Sequence, residues 1–426
     1  MTAIFAILFS LGIFFFNYTI NKSIFYPPAL FSLVWSIVLI AYGIIILTES
    51  SYVFLVQDES LLIFVLGEIF FTVGGLFAVN RKLAKPEIQH NVKFNYSFDK
   101  LVFFFLLIML PLYIKRLLEI ANSSEISDAN FFIVLRYEFV VNDVDIGILK
   151  YLNAIALFGF PLVLYKYHFQ AHSSLKLSEK IYKYLFYLLV ITYAVLSTGR
   201  TYLLLMFCIY IGFKAITGTL KRRHYITAGV GFFIIFGTIA IILRKAGGED
   251  MGVIETMGSV FKSFSDYFLG GIYAFNSIIK SGFTLDHGEN SFRFFIALFH
   301  TLGLSDKEPV DLVMPFVYTP IASNVYSVYY VYIKDFWYFG LLFMSLWSYI
   351  HTWLYYRAKH NFLYMYVYAL LLYPLITSFF QDQYISLLST WIQYVAFGYM
   401  AMHFIIDKRT VNSIEYKPIS KAVVSE

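Results

Sequence analysis

Cysteine and charge are both scarce in this 426-residue sequence. The one cysteine, Cys208, lies inside an apolar run, so no intramolecular disulfide can form and redox chemistry is not indicated. Charged residues make up 14% of the chain, well below the roughly 25% of soluble domains. Because 59% of the residues are hydrophobic, the composition indicates an integral membrane protein.

Recognisable catalytic motifs are also missing. The sequence contains no HExxH zinc motif, no paired Cys or His ligand spacing, no Gly-x-Ser-x-Gly elbow and no phosphate-binding glycine-rich loop. These absences argue against metalloproteases, serine hydrolases and nucleotide-driven enzymes, and we expect neither a metal nor a cofactor. No basic patch with interleaved aromatic residues is present, so nucleic acid is not an expected partner.

The sequence has instead eleven long apolar runs. About 20 apolar residues span a bilayer core of roughly 30 Å, and continuous rather than alternating apolar character favours helices over a barrel. We therefore predict an all-α polytopic membrane protein that forms one membrane domain over residues 1–426, with the first run an uncleaved span. The predicted spans are residues 2–20, 28–47, 61–79, 101–118, 147–165, 181–197, 201–219, 226–243, 336–355, 362–380 and 387–406.

Lysine and arginine are divided unequally between the two sides of the membrane. With eleven spans, one side carries 20 of the 32 Lys and Arg residues but only 6 of the 27 Asp and Glu residues. Since cytoplasmic loops are rich in Lys and Arg, we predict a cytoplasmic C-terminus and an external N-terminus. The external segment 244–335 is too long for a structureless loop, so we expect it to fold onto the membrane surface, with interfacial or re-entrant helices at 260–279 and 292–304.

External cations at the ends of spans are the first candidate ligand-binding groups. They either snorkel to ordinary lipid phosphates or together hold a lipid-linked diphosphate, since guanidinium groups bind phosphate oxygens bidentately. Arg200 stands out because Ser197-Thr198-Gly199 is nearly all that separates it from the preceding span, so the turn directs its side chain; the alternative is a hairpin anchor. The full set is Lys115, Arg116, Arg200, Arg244 and Lys245.

Other polar and aromatic residues have two interpretations each. External acids and bases are either general bases or solvated loop charges: Asp266, Asp286, His287, Glu289 and His300. Glu68, midway along the third span, is either functional or a protonated packing residue. The tyrosine-rich run 323–340 suits either a membrane-interface belt or the faces of sugar rings.

Three short motifs resemble one known family. The turn Thr198-Gly199-Arg200-Thr201, the segment Asn324-Val325-Tyr326 and the stretch Asp335-Phe336-Trp337-Tyr338-Phe339-Gly340, with the large external loop before the last three spans, resemble the oligosaccharide repeat-unit polymerases of bacterial surface polysaccharide pathways, also called Wzy-type or O-antigen polymerases.

This resemblance implies a glycosyltransferase of the bacterial inner membrane that acts at the periplasmic face. It would move a growing glycan from undecaprenyl diphosphate onto a lipid-linked repeat unit, giving O-antigen, capsule or exopolysaccharide. Its partners would be lipid-linked glycans and membrane lipids, and a chain-length regulator and a flippase are further candidates. A ligase that passes finished glycan to a lipid A core, or a flippase or other transporter, are the alternative functions.

The resemblance also implies roles for individual residues. By motif it carries the family's external arginines to Arg200, and beyond it to Arg244 and Arg293, while Arg136 lies at a family-like spacing before Gly147. We expect Arg200 and Arg244 to bind the donor diphosphate and Asp266 or His300 to act as general base. The remaining candidate substrate-binding residues are Lys245, Asn324, Tyr326 and Tyr330.

Overall fold

The computed structural model describes residues 2–48, 54–79, 98–126, 130–142, 144–169, 176–221, 253–312, 314–318, 320–359 and 361–405, with a few isolated positions between 222 and 252. Within these residues the regular structure is helical, and β pairing is limited to two isolated bridges. The α-helices are α1 (Thr2–Asn21), α2 (Pro27–Thr48), α3 (Asp58–Val79), α4 (Phe98–Asn122), α5 (Phe131–Val140), α6 (Lys150–Phe169), α7 (Leu177–Leu196), α8 (Arg200–Ile216), α9 (Val253–Ser281), α10 (Arg293–Thr301), α11 (Tyr329–Phe336), α12 (Leu342–Ala358), α13 (Phe362–Ile376) and α14 (Leu388–Ile405).

Helices occupy ten of the eleven predicted spans, and the remaining one, residues 226–243, lies mostly outside the described residues. By length and composition, five described helical stretches can cross a membrane: α1, α2, α3, α4 and Gly147–His168, which contains α6. Two shorter apolar stretches, Thr201–Ile216 and Phe362–Ile376, accompany them. The prediction of an all-α polytopic membrane protein is therefore confirmed.

The helices expose apolar side chains and bury polar ones, as expected of helices in a lipid bilayer. Leu8 is 60% exposed and Ile108 is 70% exposed, whereas Ser10 and Asn17 of α1 are fully buried. Because lipid tails are as apolar as leucine, burial of apolar area does not by itself hold such helices together. Close packing of small residues and hydrogen bonds between helices must do so.

Glu68 takes part in such a bond between the first three helices. The Ser10 hydroxyl donates to Glu68 Oε2 at 3.0 Å, and Ser10 Oγ lies 2.8 Å from Ser36 Oγ of α2. Seven residues further along α1, Asn17 donates to Thr72 of α3 at 2.8 Å. These contacts match the packing interpretation of Glu68, which is 1% exposed.

Helices α3 and α12 approach each other through glycine. A Cβ atom on Gly74 would lie 2.0 Å from the carbonyl oxygen of Ser345, and one on Gly75 would lie 3.2 Å from Ser348 Oγ. The Ser345 hydroxyl also donates to the carbonyl of Phe70 at 2.7 Å. Small residues thus bring the two backbones together, which is the usual basis of tight packing between membrane helices.

The structure differs from the sequence prediction at the start of the ninth span. The predicted span 336–355 begins as a helix only at Leu342, because α11 ends at Phe336 and Trp337 adopts a φ of 53° before a short 3-10 turn, Trp337–Leu341. Helix α9 covers the stretch 260–279, for which the sequence predicts an interfacial or re-entrant helix, and its second half is buried. Leu269, Ile272 and Phe275 are buried, since the second half of this helix packs against α2 and α3.

Candidate functional site

The turn before α8 presents Arg200 at a helix start. Thr198 is 6% exposed and has a φ of 56°, Gly199 is extended, and Arg200 is the first residue of α8. The short loop that the sequence predicts is therefore present. The side chain of Arg200 lies outside the described part of the structure, and Arg244 and Lys245 fall entirely outside it.

Arg136, on a helix distant in sequence, contacts this turn. It lies on α5, whose first turn is capped by the side chain of Asn130, and its Nη1 donates to the carbonyl of Thr198 at 3.5 Å. Two residues further along α5, Glu138 is 6% exposed and accepts from Ser124 and Asn142. These two hydrogen bonds lower the pKa of Glu138, so it is an ionised anchor for the segment that carries Arg136. The structure thus brings Arg136 and the Arg200 turn together.

The first turn of α8 is connected in turn to α9. The hydroxyl of Tyr373 on α13 interacts with the side chain of Thr201, and Tyr267 of α9 lies near enough to Tyr373 to act on it electrostatically. Tyr267 stacks on Phe380 with ring centroids 5.0 Å apart and an interplanar angle of 8°. Asp266, the predicted general base, precedes Tyr267 and is partly buried. Asp266 therefore lies beside a residue of α9 that is close to Tyr373, which in turn interacts with Thr201.

Three chain segments meet at Gly270 and Gly271 of α9. A Cβ on Gly271 would lie 2.2 Å from the carbonyl oxygen of Phe379 and 3.0 Å from the backbone nitrogen of Ser327, while one on Gly270 would lie 2.9 Å from Ser323 Oγ. The backbone of Val328 also donates to Ser378 at 2.7 Å. The glycines thus allow α9 to contact both the tyrosine-rich run and the loop between α13 and α14.

Of the predicted substrate-binding residues in the tyrosine-rich run, two are in contact with each other. The rings of Tyr326 and Tyr330 lie 4.8 Å apart, and the Tyr326 hydroxyl donates to the carbonyl of Pro315 at 2.9 Å. Burial, with Asp286 and other groups nearby, raises the pKa of Tyr330 to about 12. Tyr330 is therefore a neutral hydroxyl that can donate to a ligand, and Asn324 is partly exposed at the same segment.

Arg293 and His300 lie apart from these contacts along α10. Arg293 Nε donates to the carbonyl of Val310 at 2.6 Å, and burial lowers the pKa of its guanidinium, so this arginine holds the following loop. His300 is exposed in the last turn of α10, beside exposed apolar residues such as Leu298 and Phe299. This outward apolar face suits a helix at the membrane interface, as the sequence predicts for residues 292–304.

Lys115 and Arg116 are explained without a ligand. Both are ion-paired to Glu119, with Lys115 Nζ 4.0 Å and Arg116 Nη1 3.3 Å from its carboxylate oxygens, on the exposed side of α4. Their long side chains are 75% and 44% exposed. This geometry is typical of snorkelling residues at a helix end, and it makes the pair a useful control for the arginines at the Arg200 turn.

Two buried aspartates that sequence reasoning missed hold the loops in place. Asp335 is 1% exposed and accepts from the backbone of Ser291 at 2.6 Å and from the Asn290 side chain at 2.8 Å. Next to it, Lys334 pairs with Asp286 at 3.1 Å. Asp335 lies within the stretch that carries the family resemblance, and this was the one sign in the sequence that it is important. Its partners are more than 40 residues away in sequence, so the contacts themselves could not be predicted.

Asp382 is the second such aspartate, in the loop between α13 and α14. Its carboxylate is 2% exposed and accepts from the Tyr332 hydroxyl at 2.9 Å, the Ser386 hydroxyl and three backbone N–H groups. Burial raises the pKa of Asp382 and these hydrogen bonds oppose the rise. Tyr332 in turn accepts from Trp347 at 2.8 Å, so the network ties the loop to α11 and α12.

In the described residues no group of three or more His, Cys, Asp and Glu side chains is arranged to hold a metal ion. The structure places Arg136 at the turn from which Arg200 begins α8, and it packs the tyrosine-rich run against α9 at Gly270 and Gly271.

Comparisons with known proteins support the resemblance seen in the sequence. The chain is 24% identical over 209 residues to the O-antigen polymerase of Shigella dysenteriae, which covers 49% of this chain and 53% of that protein. It is 22% identical over 380 residues to a provisionally named O-antigen polymerase of Escherichia coli (strain K12), covering 88% and 91%. The match thus spans about half the length of the first relative and nearly all of the second. No family model matches, and no solved structure matches.

Proposed function

We propose that this protein polymerises undecaprenyl-diphosphate-linked oligosaccharide repeat units into a surface polysaccharide, by glycosyl transfer at the periplasmic face of the inner membrane. The observation that carries the proposal is the contact between Arg136 and the Thr198 carbonyl, which places one guanidinium at the turn that leads into Arg200. A pair of guanidinium groups is the chemistry that a diphosphate requires. The similarity to proteins named O-antigen polymerase supports the reaction class.

In the reaction, a hydroxyl oxygen of the acceptor sugar attacks the anomeric carbon of the donor glycan. A new glycosidic C–O bond forms as the C–O bond to the carrier diphosphate breaks, and the diphosphate leaves with the electron pair. Negative charge on that leaving group is stabilised by fixed cations in a site with little water. Arg136 and Arg200 are assigned this role, with Arg244 and Lys245 as further cations for the carrier.

The hydroxyl proton must pass to a base. Asp266 is assigned this role in preference to His300, because Asp266 lies on α9 beside the Tyr267–Phe380 stack that connects to the Arg200 turn, whereas His300 faces outward at the end of α10. Tyr330 and Asn324, which are partly exposed, are assigned to the acceptor glycan, whose sugar faces pack well on aromatic rings. Tyr326 is 2% exposed and is assigned an indirect role, since its ring supports that of Tyr330. Arg293 is assigned an indirect role, since its guanidinium holds the loop that contains Val310.

The test is complementation of a strain that lacks this protein, with the length distribution of its surface glycan as the readout. Arg200→Ala and Arg136→Ala are expected to abolish long chains, while Arg200→Lys and Arg136→Lys restore part of them because one cationic contact remains. Lys115→Ala and Arg116→Ala are the matched controls, since both cations pair with Glu119 and should leave chain length unchanged.

The glycan profile also separates the competing functions. Loss of a polymerase leaves core plus one repeat unit, loss of a ligase leaves bare core with stranded lipid-linked polymer, and loss of a flippase leaves repeat units on the cytoplasmic side. Full chain length in both alanine variants would contradict the assignment of the two arginines. A bare-core profile in the deletion strain would contradict the polymerase proposal itself.

A further inference from the structure

Asp286 is an external acid that is held rigidly, unlike a solvated loop charge. Its Oδ1 pairs with Lys334 Nζ at 3.1 Å, and its Oδ2 accepts from Asn290 Nδ2 at 3.0 Å. Its backbone nitrogen also donates to the carbonyl of Lys334 at 3.0 Å. Lys334 is held in turn, because its Nζ donates to the carbonyl of Thr284 at 2.8 Å. The carboxylate of Asp286 is therefore fixed at both of its oxygens.

The same carboxylate is partly open to solvent. The side chain of Asp286 is 26% exposed, whereas Asp335, which accepts from the same Asn290 Nδ2 at 2.8 Å, is 1% exposed. A carboxylate has about four acceptor positions, and one on each oxygen of Asp286 is taken by Lys334 and Asn290. Asp335 thus anchors the loop, while Asp286 keeps an acceptor position on each oxygen for another donor.

Tyr330 lies beside this carboxylate. Tyr330 and Lys334 are four residues apart on α11, so they share one face of that helix. Burial raises the pKa of Tyr330 to about 12, and Asp286 is the charge that adds most to the rise. Tyr330 is partly exposed, and its hydroxyl makes no hydrogen bond within the described part of the chain. This opening thus combines a fixed acceptor, a free hydroxyl and an aromatic ring.

A ligand that suits this opening has hydroxyl groups. A hydroxyl donates to a carboxylate oxygen and accepts from a phenol, so two neighbouring sugar hydroxyls can pair with Asp286 and Tyr330 together. A phosphate or a sugar carboxylate has acceptor oxygens alone and would carry the same charge as Asp286. An ammonium group would meet Lys334, which already lies beside the carboxylate. An uncharged sugar therefore fits, and an acidic sugar does not.

The charges around the opening point the same way. Asp286 and Asp335 provide two carboxylates, and Lys334 provides one ammonium. Besides burial, both carboxylates raise the pKa of Tyr330, so the potential at its hydroxyl is negative. A negative potential opposes the entry of an anion, and repulsion of the wrong ligand is a common basis of specificity.

We propose that Asp286 binds hydroxyl groups of an uncharged sugar at the end of the acceptor glycan and excludes acidic sugars from this position. This assignment rests on the proposed function, which supplies the acceptor glycan, and it adds the class of sugar. Asp286 selects the acceptor and takes no proton from it. Lys334 and Asn290 are positioning residues, because they act through Asp286.

The test is isothermal titration calorimetry of the full-length protein in micelles of a detergent without a sugar headgroup. The first probe is the oligosaccharide of one repeat unit, released from its carrier by mild acid. The second is the same oligosaccharide after oxidation of its primary hydroxyl groups to carboxylates. Asp286→Asn keeps the shape of the side chain and removes its charge. Glu289→Gln is the matched control, because Glu289 forms an exposed ion pair with Lys307 at 2.7 Å in the same segment.

The wild-type protein and Glu289→Gln are expected to bind the unoxidised oligosaccharide at least about tenfold more tightly than the oxidised one, because like charges repel at close range. In Asp286→Asn this preference should fall to about threefold or less. A merely structural role would weaken the binding of both probes alike, so an unchanged ratio would overturn the proposal. Equal affinities of the wild type for the two probes, or no binding of the unoxidised one, would overturn it without any variant.

Tyr330→Phe covers the case in which Asp286→Asn does not fold. This change removes the hydroxyl and keeps the ring, so the unoxidised oligosaccharide should bind about threefold more weakly and still more tightly than the oxidised one. An unchanged affinity would overturn the placement of the sugar beside Asp286.

This proposal and the polymerase proposal fail separately, because calorimetry requires neither a donor nor turnover. A bare-core glycan profile in the deletion strain contradicts the polymerase proposal. Equal affinities for the two probes overturn the role of Asp286 even where the profile shows core plus one repeat unit.

Discussion

Replacing Asp382 should destabilise the protein more than replacing any exposed acid. In Asp382→Ala the Tyr332 hydroxyl, the Ser386 hydroxyl and three backbone N–H groups lose their acceptor. Two of those N–H groups belong to Tyr384 and Ile385, which are 1% and 8% exposed, so water cannot easily replace the carboxylate. At about 1–3 kcal/mol for each buried donor left unpaired, the free energy of unfolding should fall by at least about 2 kcal/mol.

Asp382→Asn separates the hydrogen bonds from the charge. Its one carbonyl oxygen can still accept from the backbone of Ile385 and Ser386, so we expect a loss of about 1 kcal/mol, between that of alanine and the wild type. The matched control is Glu308→Ala, because Glu308 is an exposed acid in the segment between α10 and α11.

The assay is reversible unfolding of the purified protein in mixed micelles, followed by tryptophan fluorescence. Trp347 is a local reporter, since its ring stacks on Tyr384 at 4.6 Å and its Nε1 donates to Tyr332. A loss of less than 0.5 kcal/mol in Asp382→Ala, about the size of an ordinary surface substitution, would refute the reasoning that this carboxylate holds the loop.

Three further predictions follow from the packing. In Glu68→Gln the side chain can still accept from Ser10, so the unfolding midpoint and the length of the surface glycan should not change, whereas Glu68→Leu should be less stable because it leaves the Ser10 hydroxyl unpaired. Unfolding midpoints and glycan profiles check this prediction. Loss of activity in a stable Glu68→Gln protein would contradict the packing role. Gly74→Val should lower the unfolding midpoint strongly through contact with the Ser345 backbone, while Gly12→Val, where an added Cβ meets no atom within 4 Å, should not. Asp335→Ala should expose the segment around Ser291 to limited proteolysis, and an unchanged cleavage pattern would contradict its anchoring role.

The stability of the segment around Glu138 should depend on pH in a definite direction. Hydrogen bonds from Ser124 and Asn142 lower the pKa of this carboxyl below its ordinary value of 4.5, so its contribution is fully present above that value and is lost as pH falls through the lowered pKa. The protection factors of the amides of residues 130–142, which compare each exchange rate with its intrinsic rate at the same pH, should therefore fall on acidification in the wild type. They should be insensitive to the same pH change in Glu138→Gln, and equal sensitivity in both proteins would contradict the assignment.

Most of the helical architecture could be predicted from the sequence, because long apolar runs have few alternatives in lipid. The start of α12 could not. The run 336–355 is apolar throughout, but Trp337 takes a positive φ where Gly340 packs on the Tyr332 carbonyl, and that contact depends on tertiary structure. For α9 the sequence left an interfacial and a re-entrant position open, since an amphipathic helix can place its apolar face on lipid or on other helices with the same sequence pattern.

The candidate site was likewise predictable in part from the sequence. The Thr198-Gly199-Arg200 turn was visible because a short loop between two spans leaves few conformations. Its contact with Arg136, 62 residues earlier in the chain, could not be read from spacing. Asp382 escaped notice because one acid in a loop between two spans looks like a solvated charge, and only its five donors distinguish it from Glu308.

The most direct test of the central claim is reconstitution of the purified protein with an undecaprenyl-diphosphate-linked repeat unit as the sole substrate. We predict glycans of two or more repeat units, release of one undecaprenyl diphosphate for each bond formed, and loss of both products in Arg200→Ala and Arg136→Ala but not in Arg116→Ala. A wild-type protein that binds the substrate and forms no longer glycan, or an Arg136→Ala variant with wild-type rates, would contradict the account.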